Sequence, residues 1–113
     1  DLLDIQKNYF EKGDKFWIAV GDDDRVIGSI GYSTEAGKNE AVIHRLFVKA
    51  NIKRTGIGSK LLETAEKDLQ KRGIAVAKVN LGTPKEQWAE SYKFYPKHGY
   101  IEYESGRMMK RLV

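Results

Sequence analysis

Apolar residues recur along the chain with two different periods, and each switch of period marks an element. The opening stretch DLLDIQKNYF spaces Leu2, Leu3, Ile5, Tyr9 and Phe10 as a helix face would, and the pattern stops near Gly13. KFWIAVGDDDRVIGSIGYS reads as a hairpin: a β-rich strand at Phe16–Val20, an Asp/Gly turn, and a return strand over Arg25–Ser33. The polar loop TEAGKNE follows. AVIHRLFVKA is then a strand whose alternation puts Val42, His44, Leu46 and Val48 on one face and Ile43, Arg45 and Phe47 on the other.

The period changes after NIKRTGIG. Ile57, Leu61, Leu62, Ala65 and Leu69 lie on one side of a helix that ends at Lys71-Arg72-Gly73, with bases in its last turn and a glycine beyond. IAVAKVNLG is the next strand. In TPKE, Thr83 fits an N-cap, Pro84 the first helical position and Glu86 the far side of a capping box. That helix runs towards Tyr95, where Pro96 and Gly99 end it. YIEYES and MMKRLV close the chain as two strands around Gly106.

The order is therefore α-β-β-β-α-β-α-β-β. A strand–helix–strand unit from Ala41 to Leu81 needs a crossover connection, which makes one strand pair parallel. The remaining strands pair antiparallel. The expected fold is mixed α/β: a central, mostly antiparallel sheet with helices on both faces.

Composition narrows the class. A chain of 113 residues is expected to form one domain, and 41% hydrophobic with 32% charged residues excludes a disordered or fibrous chain. No apolar run approaches the roughly 20 residues of a membrane helix, and no signal-peptide pattern opens the sequence. No membrane partner is expected. Zero cysteines exclude disulfides, thiolate metal sites and a thiol nucleophile. His44 and His98 are too far apart in sequence to favour a metal site, so no metal is expected. A reducing cytoplasm fits this usage. The chain opens on Asp1 rather than Met, so a preceding segment is expected to be missing.

The net charge of +4 matters less than its distribution. Between Ala41 and Leu62 there is no acid, yet Arg45, Lys49, Lys53, Arg54 and Lys60 all fall there. Such a block is either a solvated face or the surround of an anionic ligand. The glycines inside it sharpen the choice. A helix N-terminus leaves four N–H groups unpaired and carries a partial positive charge, and a glycine approach lets the backbone come close to a phosphate. Gly56-Ile57-Gly58-Ser59-Lys60-Leu61 lacks the third glycine of a dinucleotide fingerprint, and no Walker sequence is present. On its own, Gly-x-Gly reads equally as a structural turn.

Two motifs in order carry more. Lys53-x-x-Gly56-x-Gly58, after the hydrophobic strand and opening a helix, resembles the pyrophosphate loop of the GNAT superfamily of acetyl-CoA-dependent N-acetyltransferases. Downstream, FYPKHGY is similar to the family's Tyr-x-Lys-x-Gly-Phe segment, with Tyr95, Lys97, Gly99 and Tyr100 in register. The resemblance covers the chain from about Phe16 to its end, and implies a GNAT-like domain over residues 1–113 with shortened or missing N-terminal elements.

The resemblance implies roles. Amides of Arg54, Thr55, Gly56, Ile57, Gly58 and Ser59 would bind the CoA pyrophosphate, aided by Lys53, which stands where the family usually has Arg or Gln. The backbone of Leu46, Phe47 and Val48 would pair with the pantetheine arm, on a strand splayed from its neighbour. Tyr95 would protonate the departing thiolate; its bland reading is a core tyrosine beside Tyr92, Phe94 and Tyr100. The family often has an Asn seven residues before this tyrosine, where Trp88 stands. His44 first, and Glu40 second, would deprotonate the amine, although a lone histidine on a strand also reads as a core-edge residue bonded to backbone. Glu86 and Glu90 offer charge to a cationic substrate, and His98 reads as structural at a helix C-terminus.

With no cysteine to carry an acyl group, transfer implies direct attack of a primary amine on the thioester in a ternary complex. A second reading is a non-catalytic acyl-CoA-binding or regulatory module on the same fold. A third, a nucleic-acid-binding domain prompted by a pI near 9.2, is disfavoured because the bases gather at one turn without an aromatic platform, so no nucleic acid is expected. A homodimer is compatible with the sequence, and the acceptor is not legible in it.

Overall fold

The computed structural model describes residues 4–9, 15–21, 23–34, 37–49 and 56–113. Seven strands form one sheet in the order β1-β2-β3-β4-β5-β7-β6. They are β1 (Asp4–Tyr9), β2 (Lys15–Val20), β3 (Val26–Thr34), β4 (Glu40–Val48), β5 (Val76–Asn80), β6 (Ile101–Glu104) and β7 (Arg107–Arg111). Helix α1 (Ile57–Lys71) joins β4 to β5, and helix α2 (Ala89–Lys97), preceded by a 3₁₀ turn at Lys85–Trp88, joins β5 to β6. Among the described residues only the neighbouring pair β4–β5 is parallel, as the crossover requires.

The first element departs from its sequence pattern. The apolar spacing of DLLDIQKNYF favours a helix, but Asp4–Tyr9 is a strand that pairs antiparallel with β2, from Asp4↔Val20 to Tyr9↔Lys15. Pairing supplies the backbone partners that a short helix would have to find within itself, and it overrides a weak local preference. The rest of the expected stretch, residues 1–3 and 10, lies outside the described residues.

Alternation along the strands gives the sheet one buried face. Trp17, Ala19, Ile30, Tyr32, Ala41, Ile43, Ala77, Val79 and Met108 are buried there. Against them α1 lays Leu61, Leu62, Ala65 and Leu69, all fully buried. Each such leucine contributes about 1.5–3 kcal/mol. Tyr95 of α2 joins the same core, and Phe94 of α2 packs within 3.5 Å of the position a side chain at Gly58 would take. Helices were expected on both faces of the sheet; among the described residues α1 and α2 share one. Both crossovers, β4 to β5 and β5 to β6, step across the sheet in the same direction, and a right-handed connection then puts both helices on the same side.

Two polar clusters tie α1 down. Tyr32 donates its hydroxyl to Asp68 at 2.5 Å and accepts from Arg72 at 2.7 Å. Glu66, itself buried, accepts from the Tyr100 hydroxyl at 2.8 Å and from Lys110 at 3.0 Å. Satisfied on both oxygens, the carboxylate can remain in the core.

Candidate active site

The strand β4 determines how the site is built. Gly31 pairs with His44 and Ser29 with Phe47, so Arg45 and Leu46 together oppose Ile30. This is a β-bulge, and Arg45 takes φ 56, a left-handed conformation uncommon for a non-glycine residue. Ser29 Oγ donates to the Arg45 carbonyl at 2.9 Å, holding the bulge. The extra residue reverses the side-chain parity. The simple alternation read from the sequence is therefore corrected: Leu46 and Val48 share the helix-covered face with Ile43, while Val42, His44 and the half-exposed Phe47 point to the other side.

β4 also loses its partner. Its parallel pairing with β5 covers only Glu40–Ile43 against Val76–Val79, while β5 continues with β7 to Asn80. Beyond Ile43 the two strands fork, and among the described residues no strand pairs with the β5-facing edge of β4. The first turn of α1 sits beside the end of β4, with Val48 Cγ2 3.5 Å from the Cβ position of Gly58. Gly56, just before the helix, has φ 87, and among the described residues nothing lies within 4 Å of where a side chain there would start. No acid stands in the first turn of α1 to neutralise its free N–H groups.

A cleft of about 730 Å³ opens between these elements and α2. Leu46 and Val48 line it from β4, Gly56, Gly58 and Ser59 from α1, and Glu90, Ser91, Lys93, Phe94, Tyr95, Lys97 and His98 from α2 and its end. Tyr95 is 4% exposed, with the Phe94 and Tyr100 rings edge-on at 5.2 and 5.4 Å. Burial pushes its hydroxyl well above the usual tyrosine pKa, so it stays protonated and can serve as a donor into the cleft.

The sequence-derived residues divide clearly. Leu46, Val48, Gly56, Gly58, Ser59 and Tyr95 line one cleft, and Ile57 starts the helix at its edge. Lys53, Arg54 and Thr55 lie outside the described residues. Phe47 does not line the cleft, and its half-exposed side chain turns to the other face. His44 is on the opposite face, its Nε2 2.8 Å from Ser33 Oγ and its ring against Gly31. It is also the first residue of β4 past the last pair with β5. Glu40 lies on that opposite face too, 3.0 Å from Lys78 Nζ. Glu90 reaches the cleft.

Two features differ from the sequence reading around α2. The capping box at Thr83 does not form: Pro84 itself is the N-cap, in extended geometry, and no side chain caps the 3₁₀ turn. With the start moved one residue on, Thr83 and Glu86 no longer hold the spacing that reciprocal bonding needs. Pro96 sits inside the last turn of α2 rather than ending it. His98, read as structural, lines the cleft and lies 3.0 Å from Ser59 Oγ. Nothing in sequence links two residues 39 positions apart. Among the described residues no group of His, Asp and Glu is placed to hold a metal ion, and no helix is long and apolar enough to cross a membrane.

The class these features define is an α/β protein whose forked sheet presents a glycine-led helix N-terminus to a cleft. The sequence model of the acetyltransferase (GNAT) family matches residues 1–100, and the chain belongs to that family. The solved structures agree in fold. A GNAT-family acetyltransferase from Staphylococcus aureus Mu50 superposes with a TM-score of 0.76 over 94% of this chain and 72% of its own, at 22% identity. The PaiA N-acetyltransferase of Thermoplasma acidophilum, solved in complex with coenzyme A, gives 0.72 over 85% of this chain and 59% of its own, at 28% identity. N-acetylglutamate synthase from Neisseria gonorrhoeae, solved with coenzyme A and N-acetyl-glutamate, gives 0.71 over 87% of this chain and 26% of its own, at 18% identity. No curated protein matches the chain at a significant level.

Proposed function

We propose that this chain is a single-domain N-acetyltransferase that moves an acetyl group from acetyl-CoA to a primary amine by direct attack in a ternary complex. The observation that carries the reading is the forked strand pair opening onto the cleft at the N-terminus of α1. It offers an anion site, a strand edge that β5 no longer covers and a buried hydroxyl along one cleft. Coenzyme A in the structures of family members supports the choice of ligand.

In this reading the diphosphate rests on the amides of Arg54, Thr55, Gly56, Ile57, Gly58 and Ser59, with Lys53 adding charge. The pantetheine arm pairs along the free edge of β4 at Leu46, Phe47 and Val48, as an added strand would. The thioester then reaches the fork. The amine enters from the opposite face, where His44 stands at the branch point and takes its proton. Glu40 is the second choice as base, because it is already engaged in an ion pair with Lys78. Nitrogen bonds to the acetyl carbon, the C–S bond breaks, and Tyr95 donates its proton to the leaving sulfur. We place this activity in the cytoplasm. A homodimer is compatible with it, and neither metal, membrane nor nucleic acid takes part.

Thiol release from acetyl-CoA, followed across a panel of amines, amino acids and peptide N-termini, tests the reading. Amine-dependent release with matching acetylated product is expected. Tight acetyl-CoA binding with no turnover on any amine would instead favour the non-catalytic acyl-CoA-binding module.

A further inference from the structure

One pair of side chains joins the two helices at the cleft and has no part in the chemistry above. Ser59, in the first turn of α1, holds its hydroxyl 3.0 Å from Nε2 of His98, the residue that caps α2. The Phe94 ring packs on the imidazole with centroids 4.7 Å apart. Both Ser59 and His98 line the cleft. We propose that His98 is a positioning residue for the diphosphate of the cosubstrate, acting as an imidazolium that directs Ser59 onto a phosphate oxygen. This rests on the reading of the cleft as a CoA site.

A neutral imidazole nitrogen without a proton accepts the Ser59 hydroxyl and keeps it pointed at the ring. An imidazolium donates from Nε2 instead, so Ser59 oxygen accepts and its own hydrogen is free to turn into the cleft. The positive pole of α1 lies on one side of the ring, and Lys93 and Lys97 line the cleft from α2. Among the described lining residues Glu90 is the acid on that wall, β4 presents apolar Leu46 and Val48, and the first turn of α1 has no acid. A diphosphate at the N-terminus of α1 places negative charge beside the ring and favours the imidazolium. Anion binding and proton uptake by His98 then strengthen each other, and linkage makes the effect reciprocal.

The test is calorimetric titration with dephospho-CoA, which keeps the diphosphate. It lacks the terminal phosphomonoester, whose second ionisation near pH ~6 would overlie the signal. Native protein should bind it roughly fivefold more tightly at about pH 5.5 than at about pH 8. His98→Gln should bind with the native alkaline affinity at every pH. His98→Lys, a fixed cation, should bind at every pH with the native acidic affinity. A native pH slope that survives in His98→Gln, or a native profile that is flat, overturns the role of His98 while leaving the cleft reading intact. Failure of the native protein to bind either dephospho-CoA or CoA at any pH overturns both.

Discussion

Tyr95 shows how much a single residue can be asked to do. The sequence offers two roles for it, core aromatic and proton donor, and the structure combines them: the ring is buried between Phe94 and Tyr100 while the residue lines the cleft. Tyr95→Phe keeps the packing and removes the hydroxyl. Turnover should fall by about 100-fold with CoA affinity nearly intact, measured by steady-state kinetics and calorimetry. Unchanged turnover would remove Tyr95 as the acid. Gly82 is a second single-residue case. A Cβ there would lie 2.3 Å from the Trp88 indole, whose ring lies over the loop after β5. Gly82→Ala should displace the half-exposed Trp88, cost about 1–2 kcal/mol in denaturant unfolding, and shift tryptophan emission to the red. Buried Trp17 supplies a constant background, so an unshifted spectrum would contradict the packing. At this scale Gly56, Gly58 and Tyr95 were legible because each is fixed by its own short motif. His98 was not, because its meaning depends on Ser59 and only folding brings the two together.

At the scale of elements, the helix α1 and strand β5 follow their patterns closely, because each has one buried face and nothing interrupts its period. β4 does not. Its bulge at Arg45 and Leu46 reverses parity halfway along, so an alternation read from Val42 to Val48 assigns His44 to the wrong side of the sheet relative to Leu46. Arg45 gives no warning, since a left-handed position is usually marked by Gly or Asn. The bulge and the fork together are what direct Leu46 and Val48 to the cleft and leave His44 at the branch on the far side. β1 failed for a different reason: a strand at the sheet edge is determined by its partner, and its own six residues carry little signal.

The whole molecule depends on a core that contains phenolic hydroxyls. Burial, then the hydrogen bond to Asp68, pushes Tyr32 from 10.0 up to about 12, and burial raises Tyr95 and Tyr100 as well. An unfolded chain releases these protons near its ordinary value of about 10, whereas the folded chain retains them. Their contribution is therefore fully present below pH ~10 and is lost as pH rises from there towards the raised folded values. Alkaline titration should show cooperative unfolding above pH ~10, with phenolate absorbance from Tyr32, Tyr95 and Tyr100 appearing only with loss of circular dichroism. Phenolate signal from all six tyrosines before unfolding would contradict this. The strand order β5-β7-β6, which puts α1 and α2 on one face, was not legible in the sequence. Handedness gives the side of each helix only once the direction of each crossover is known.

The central claim is that the N-terminus of α1 holds the diphosphate of acetyl-CoA, and Gly56 tests it most directly. Both Asn and Asp tolerate the left-handed φ 87 found there, and among the described residues nothing lies within 4 Å of the added Cβ. Gly56→Asn and Gly56→Asp therefore differ by one charge at the mouth of the cradle. Titrating acetyl-CoA into the two folded variants by calorimetry, we predict near-native affinity for Gly56→Asn and a loss of at least roughly 100-fold for Gly56→Asp. Equal affinities in the two variants would contradict the account.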